Sequence, residues 1–198
     1  LPGAGPVTET LDLDAVKAEL RARMRGLRRH LAESASVLGA QAAQRVPVEL
    51  LTRIRMLAGY WPISGEIDPR ALMTRAAGLG ARLALPAALG RDSALVFRAY
   101  DPDTHLTLDA LSVPAPGPMT EARRPDAIIA PLLAFDRRGG RLGQGGGHYD
   151  RTLALPALQE CLVIGMAYSG QEVSAAPMQA HDRRLHYVVT EAEWIECR

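Results

Sequence analysis

Apolar residues recur at Leu13, Val16, Leu20, Met24, Leu27 and Leu31, in steps of three and four. That period predicts an amphipathic helix over residues 11–32. A second helix is predicted over 35–51, interrupted or restarted at Pro47. The pattern then changes. Residues 55–61, 82–85 and 95–100 read as strands, with a helix over 69–77 after the first. Residues 100–120 hold four of the 14 prolines and are expected to form a long, irregular connection. Residues 126–130 and 162–167 read as strands buried on both faces, and 186–190 as a last strand. A glycine-rich stretch, 139–147, leads into a helix over 148–155. Strands that alternate with helices and are apolar on both faces indicate an α/β fold with a mostly parallel sheet covered by helices. One compact domain is expected over 11–198, behind a flexible tail over 1–10.

Composition narrows the function classes. Of 198 residues, 47% are hydrophobic and 23% charged, ordinary for a folded domain. The net charge of +1 argues against a bulk binder of nucleic acid or membranes. Two cysteines are too few for a disulfide scaffold. Cys161 opens an apolar run and is expected as a buried thiol, whereas Cys197 is expected at a frayed end. A reducing, cytoplasmic setting follows as an expectation. The longest apolar run, 127–135, contains a proline and is far shorter than the roughly 20 residues of a membrane helix. The opening LPGAGPVTET has neither the basic start nor the apolar stretch of a signal peptide.

Four segments carry candidate chemistry. In RLGQGGGHYDR, residues 141–151, four glycines precede a helix, so backbone N–H groups can converge on a phosphate. A flexible turn is the plain alternative, and neither the Walker nor the dinucleotide spacing is matched. On the first helix Lys17, Arg21, Arg25 and Arg28 form a cationic stripe away from the leucines. Like charges so spaced repel by about 0.2–0.5 kcal/mol per pair, so the stripe is either a solvated face or an anion site. Lys17 is the single lysine beside 22 arginines, and an ammonium suits a crowded phosphate better than a guanidinium fork. In GYWPISGEIDPRAL, residues 59–72, Glu66 could bind the donor edge of a heterocycle with Trp61 as a stacking wall. Alternatively Glu66 and Asp68 only favour the dipole of the next helix. Finally Asp182, beside His181, offers with Asp150 two carboxylates suited to Mg²⁺ and phosphate oxygens.

Taken together, KAELR at 17–21, YWPISGEID at 60–68, PLLAFDRRGGRLGQGGGHYDR at 131–151 and HDRRLHYVVTE at 181–191 resemble the 5-formyltetrahydrofolate cyclo-ligase family, in the family's order. The resemblance implies a compact α/β fold and ATP- and Mg²⁺-dependent closure of 5-formyltetrahydrofolate to 5,10-methenyltetrahydrofolate. It implies ATP contacts from Lys17, Arg21, Arg141, Leu142, Gly143, Gln144, Gly145, Gly146, Gly147, His148 and Tyr149, with Lys17, Arg141 and Tyr149 catalytic. Folate contacts would come from Trp61, Glu66 and His148, and Mg²⁺ ligands from Asp150 and Asp182. The expected partners are the folate and ATP, without nucleic acid or membrane, acting on a monomer. Gln144, His148 and His186 depart from the family pattern, the last after two unusual arginines, Arg183 and Arg184. The alternative from another class is a non-catalytic nucleotide- or RNA-binding relative using the basic helix and the glycine loop. A phosphosugar isomerase would need a base that the sequence does not offer.

Overall fold

The computed structural model describes residues 12–179 and 182–198. The tail expected over 1–10, and His181, lie outside the described residues. Helix α1 (Leu13–Leu31) starts where the Asp12 carboxylate accepts from the Asp14 and Ala15 N–H groups. A short 3-10 turn leads to α2 (Ala35–Arg45), and α3 (Val48–Leu51) restarts after Pro47 as predicted. Strand β1 (Met56–Ala58) follows, then α4 (Arg70–Gly78), β2 (Arg82–Ala88) and β3 (Leu95–Tyr100).

The connection over 100–120 is more ordered than its prolines suggest. It folds back as a hairpin, β4 (Leu106–Leu108) against β5 (Pro114–Pro116). Each strand in this two-stranded unit is an edge, where proline's missing donor is tolerated. The Asp109 carboxylate builds the tip by accepting from the Leu111 and Val113 N–H groups, and it ties the tip to β2 through Ala88 N–H.

Strand β6 (Ala127–Pro131) is followed by a ribbon of β7 (Ala134–Phe135) and β8 (Arg141–Leu142), then α5 (His148–Leu153) and β9 (Leu162–Met166). Strand β10 (Tyr187–Val189) is not the last, as the sequence suggested. It is followed by an antiparallel strand, β11 (Trp194–Glu196). Cys197 is accordingly not frayed, because its N–H donates to His186 O and its side chain is half-buried.

Seven strands make one sheet in the order β11-β10-β9-β6-β1-β2-β3. The five inner strands run parallel, and each edge strand is antiparallel to its neighbour. Period-two alternation sends β6 to both faces: Ala127 and Ile129 pack with α2 and α4, while Ile128 and Ala130 pack with Leu153 and Leu158. A third, smaller core docks α1 on the ribbon through Met24, Leu133, Ala134 and Leu142. Three connections therefore leave the carboxyl ends of β1, β6 and β9, the edge at which α/β sheets gather ligands.

Candidate active site

The residues singled out in the four segments were far apart in sequence. All four segments contribute to the wall of one cavity of about 800 Å³, although Arg25, Arg28 and Asp68 do not line it. It holds Lys17 and Arg21 from α1, Trp61 and Glu66 from the connection after β1, and the whole stretch 141–150. Asp182 reaches it from the segment before β10.

Lys17 is only 7% exposed, yet among the described residues its ammonium has neither a hydrogen-bond nor an ion-pair partner. The protein-facing side of α1 carries both sets of residues. Leu20, Met24, Leu27 and Leu31 pack on the cores with Lys17 and Arg28 buried beside them, and of the apolar stripe only Leu13 and Val16, near the helix start, are exposed.

The stripe itself divides. Arg21 Nε donates to Gly143 O at 3.0 Å, leaving its terminal nitrogens at the cavity. Arg25 does not reach the cavity wall. Its guanidinium grips Gln144 through the backbone oxygen and Oε1, both at 3.1 Å. Arg28 turns inward, towards Glu66. One expected anion face thus becomes two cations at the cavity and two that hold its walls.

The glycine loop needs its glycines at two places in particular. Gly147 precedes α5 at φ 66°, and Gly145, at φ 104°, lies beneath the Arg21 guanidinium, 3.4 Å from where a Cβ would sit. Helix α5 covers six residues rather than the eight predicted, so its dipole is small and cationic side chains supply most of the attraction for an anion. His148 opens α5 with Nδ1 3.0 Å from Ser93 O, which anchors the helix start to the segment before β3.

Arg141 is buried and ion-pairs with Asp150. One carboxylate oxygen of Asp150 is thereby engaged and the other remains for a cation. Asp182 accepts from Gln179 N–H at 2.8 Å. Among the described residues no three His, Cys, Asp or Glu side chains gather as a metal cage. Two carboxylates on a cavity wall fit the hard, oxygen-seeking Mg²⁺, which commonly uses one or two protein carboxylates beside phosphate oxygens.

At the other end Glu66 is 7% exposed. Burial pushes its carboxyl above the ordinary value, although the Arg28 charge, the Ile63 N–H and the Arg28 and Gln144 side chains act the other way. It is not a first-turn residue of α4, whose N-cap is Pro69. Asp68 does serve the helix start, accepting from the Arg70 backbone N–H at 2.9 Å, and it also chelates the Arg70 guanidinium. Trp61 carries the Arg70 guanidinium 5.2 Å over its ring. The buried Tyr149 hydroxyl has no partner among the described residues, and burial first, then the Glu66 charge, raises its pKa far above the ordinary value. It stays a hydrogen-bond donor.

Sequence reasoning missed Asp14, Tyr60 and the hairpin tip at Asp109 and Leu111, all on the cavity wall. Asp14 was accessible, lying one helical turn before Lys17. The hairpin was not, because its prolines masked its strands.

A profile of the 5-formyltetrahydrofolate cyclo-ligase family matches residues 14–191. A 5-formyltetrahydrofolate cyclo-ligase of Escherichia coli (strain K12) is 33% identical over 175 residues, spanning 82% of this chain and 94% of that protein. One from Mycolicibacterium smegmatis is 32% identical over 181 residues, spanning 88% and 93%. Among solved structures, the 5,10-methenyltetrahydrofolate synthetase of Aquifex aeolicus superposes with a TM-score of 0.76 at 28% identity, covering 92% of this chain and 93% of its own. A Mycoplasma pneumoniae 5,10-methenyltetrahydrofolate synthetase, at 22% identity and a TM-score of 0.67, shares the fold over 88% of this chain and 98% of its own.

Proposed function

The chain belongs to the 5-formyltetrahydrofolate cyclo-ligase family, and from that premise we propose that it closes 5-formyltetrahydrofolate to 5,10-methenyltetrahydrofolate while ATP is cleaved to ADP and phosphate. The observation that carries this reading is Lys17, a largely buried residue whose ammonium has no partner among the described residues, on the wall shared by the glycine loop and Glu66. A polyanion at the loop would supply its missing counter-charge.

The formyl oxygen is a feeble nucleophile and the formyl carbon a feeble electrophile. Transfer of the γ-phosphoryl group to that oxygen remedies both, because the carbon becomes an iminium and the oxygen part of a leaving group. Folate N10 then attacks the carbon, the ring closes, and the oxygen departs with phosphate. Such a transfer asks the protein mainly for positioning and charge neutralisation. Lys17 and the free nitrogens of Arg21 face the phosphates, and the backbone amides of 143–147 surround them. Tyr149, kept protonated by burial, donates to an oxygen of the transferring group. Arg141 orients Asp150. Trp61 offers a flat wall to the pterin, and Glu66 accepts from its N–H edge. Asp150 and Asp182 would hold Mg²⁺, which when bound would offset phosphate charge.

Incubation with ATP, Mg²⁺ and 5-formyltetrahydrofolate should produce the near-ultraviolet band of methenyltetrahydrofolate only when all three are present. Binding of ATP without product would instead favour the non-catalytic nucleotide binder. Asp150→Asn and Asp182→Asn should each raise the Mg²⁺ needed for half-maximal rate with little change in folate affinity. Unchanged Mg²⁺ dependence in both variants would remove these residues from the metal site.

A further inference from the structure

Arg28 is 1% exposed and does not reach the cavity, so it is no phosphate ligand. Its Nη2 donates to Ile63 O at 3.0 Å and Ser64 O at 2.8 Å, and lies 3.4 Å from Glu66 Oε1. Ile63 N–H donates in turn to Glu66 Oε2 at 3.1 Å. The turn it holds is tight: Ser64 and Gly65 sit at φ 50° and 74°, and a Cβ on Gly65 would lie 2.8 Å from Arg28 O. The Tyr168 hydroxyl holds the same turn from the other side, donating to Gly65 O at 3.1 Å.

Stapling a turn does not require a buried guanidinium. A neutral donor would do it without the cost of desolvating a charge. Here two of the guanidinium nitrogens, Nε and Nη1, have no partner among the described residues. What the charge adds is a counter-ion for a carboxylate that burial otherwise drives towards its neutral form.

We propose that Arg28 is a positioning residue for pterin recognition: it fixes the Glu66 carboxylate on the cavity wall, ionised and aimed, so that it accepts from the paired N–H donors of the pterin's amino-pyrimidinone edge. This inference rests on the reading of Glu66 as a folate contact. The groups around Glu66 are consistent with a single counter-ion. Tyr60, from the end of β1, Tyr149, on α5, and Tyr168, after β9, are held protonated by burial and by Glu66 itself. Asp68 is engaged by Arg70, and Gln144 adds a neutral hydrogen bond.

The test measures binding of 5-formyltetrahydrofolate and of ATP separately, by equilibrium dialysis across pH 6–9, so that it does not depend on turnover. Wild-type turnover, measured alongside, reports on the cyclo-ligase reading independently. Arg28→Gln should weaken folate binding roughly tenfold or more near neutral pH, with affinity recovering as pH rises and Glu66 ionises. ATP binding should change less than about twofold. Glu66→Gln should weaken folate binding with no such pH slope. The double variant Arg28→Gln/Glu66→Gln has no buried charge left to compensate and should match Glu66→Gln alone. If Arg28→Gln fails to fold, that match still tests the claim, since a residue acting only through Glu66 adds nothing once Glu66 is gone. Equal weakening of ATP and folate without a pH slope, or a double variant worse than Glu66→Gln, would overturn the proposal. So would a wild-type protein that does not bind the folate.

Discussion

Lys17 and Arg28 lie on the same face of α1, eleven residues and about 16 Å apart along its axis. Both are buried. Their surroundings differ in kind. Arg28 meets two carbonyls and a carboxylate, whereas Lys17 has no acceptor among the described residues and faces the cavity. Burial alone therefore does not mark function in this helix. What separates the two cations is a protein counter-charge. Arg28 ion-pairs with Glu66, although its Nε and Nη1 find no partner among the described residues, and belongs to the frame behind the site, whereas Lys17 waits for a ligand.

The sharpest way to break that contrast is to remove the paired cation. Arg28→Met leaves Glu66 buried without its counter-charge, which typically costs about 3–5 kcal/mol. The loss should appear as a lower urea midpoint at unchanged slope. Adding Glu66→Gln should restore part of it, because no uncompensated charge then remains. A single variant as stable as wild type would show that Arg28 is not framework.

Removal of the other cation should do the reverse. Lys17→Ala takes away a charge that no described residue balances, so the urea midpoint should hold or rise. Its charge-assisted contact with phosphate is worth about 1.5–3 kcal/mol, or roughly a ten- to hundredfold loss of rate at limiting ATP. A near-normal rate there would place Lys17 outside the site.

These two outcomes also mark where sequence reasoning stops. The parallel core was legible, because β6 and β9 are apolar at every position and the helices repeat at three and four. The cavity was largely legible too, since each of its four segments carries a local signature. Lys17 and Arg28, by contrast, belong to one stripe with one spacing. Their divergence depends on a contact 38 positions away, between Arg28 and Glu66, which no local pattern encodes. Strands β4, β5 and β11, three residues each, are too short for alternation to register, and prolines disguise β5 further.

A buried carboxylate sharpens the same contrast from the acid side. Asp136 is 2% exposed in the ribbon between β7 and β8. Burial pushes its pKa up, but N–H donors from Ala176, Gly140 and Arg138, with the Arg138 charge, outweigh it and hold the carboxyl below the ordinary value. Glu66, with fewer donors, is shifted the other way. A depressed folded pKa means the unfolded chain binds the proton more readily. The stabilisation from Asp136 is therefore full above the ordinary aspartate range near pH ~4 and is lost as pH falls through the folded value. Asp136→Asn should lower stability at pH 7 by about 1–3 kcal/mol, since the amide keeps only one oxygen for three donors. The gap between variant and wild type should narrow on acidification. A gap independent of pH would mean that the hydrogen bonds, and not the charge, carry the effect.

The smallest effect is expected from a third cation, Arg70, which is exposed where the other two are buried. Half of its side chain meets solvent, and it pairs with Asp68 at 2.7 Å while its guanidinium stands over Trp61. Solvent screens such a pair, so its contribution to stability is at most about 1 kcal/mol and declines with salt. Arg70→Gln should leave the urea midpoint nearly unchanged, most clearly at high ionic strength. Its contact with the indole is worth about 0.5–1 kcal/mol at an exposed site, and loss of it frees the Trp61 ring at the cavity wall. Folate affinity should therefore fall by no more than about fivefold. ATP affinity should not move, because Arg70 is not part of the cavity wall. A tenfold or larger loss of folate binding at full stability would show that an exposed cation orients the stacking wall as firmly as Arg28 holds Glu66, and burial would cease to separate the two.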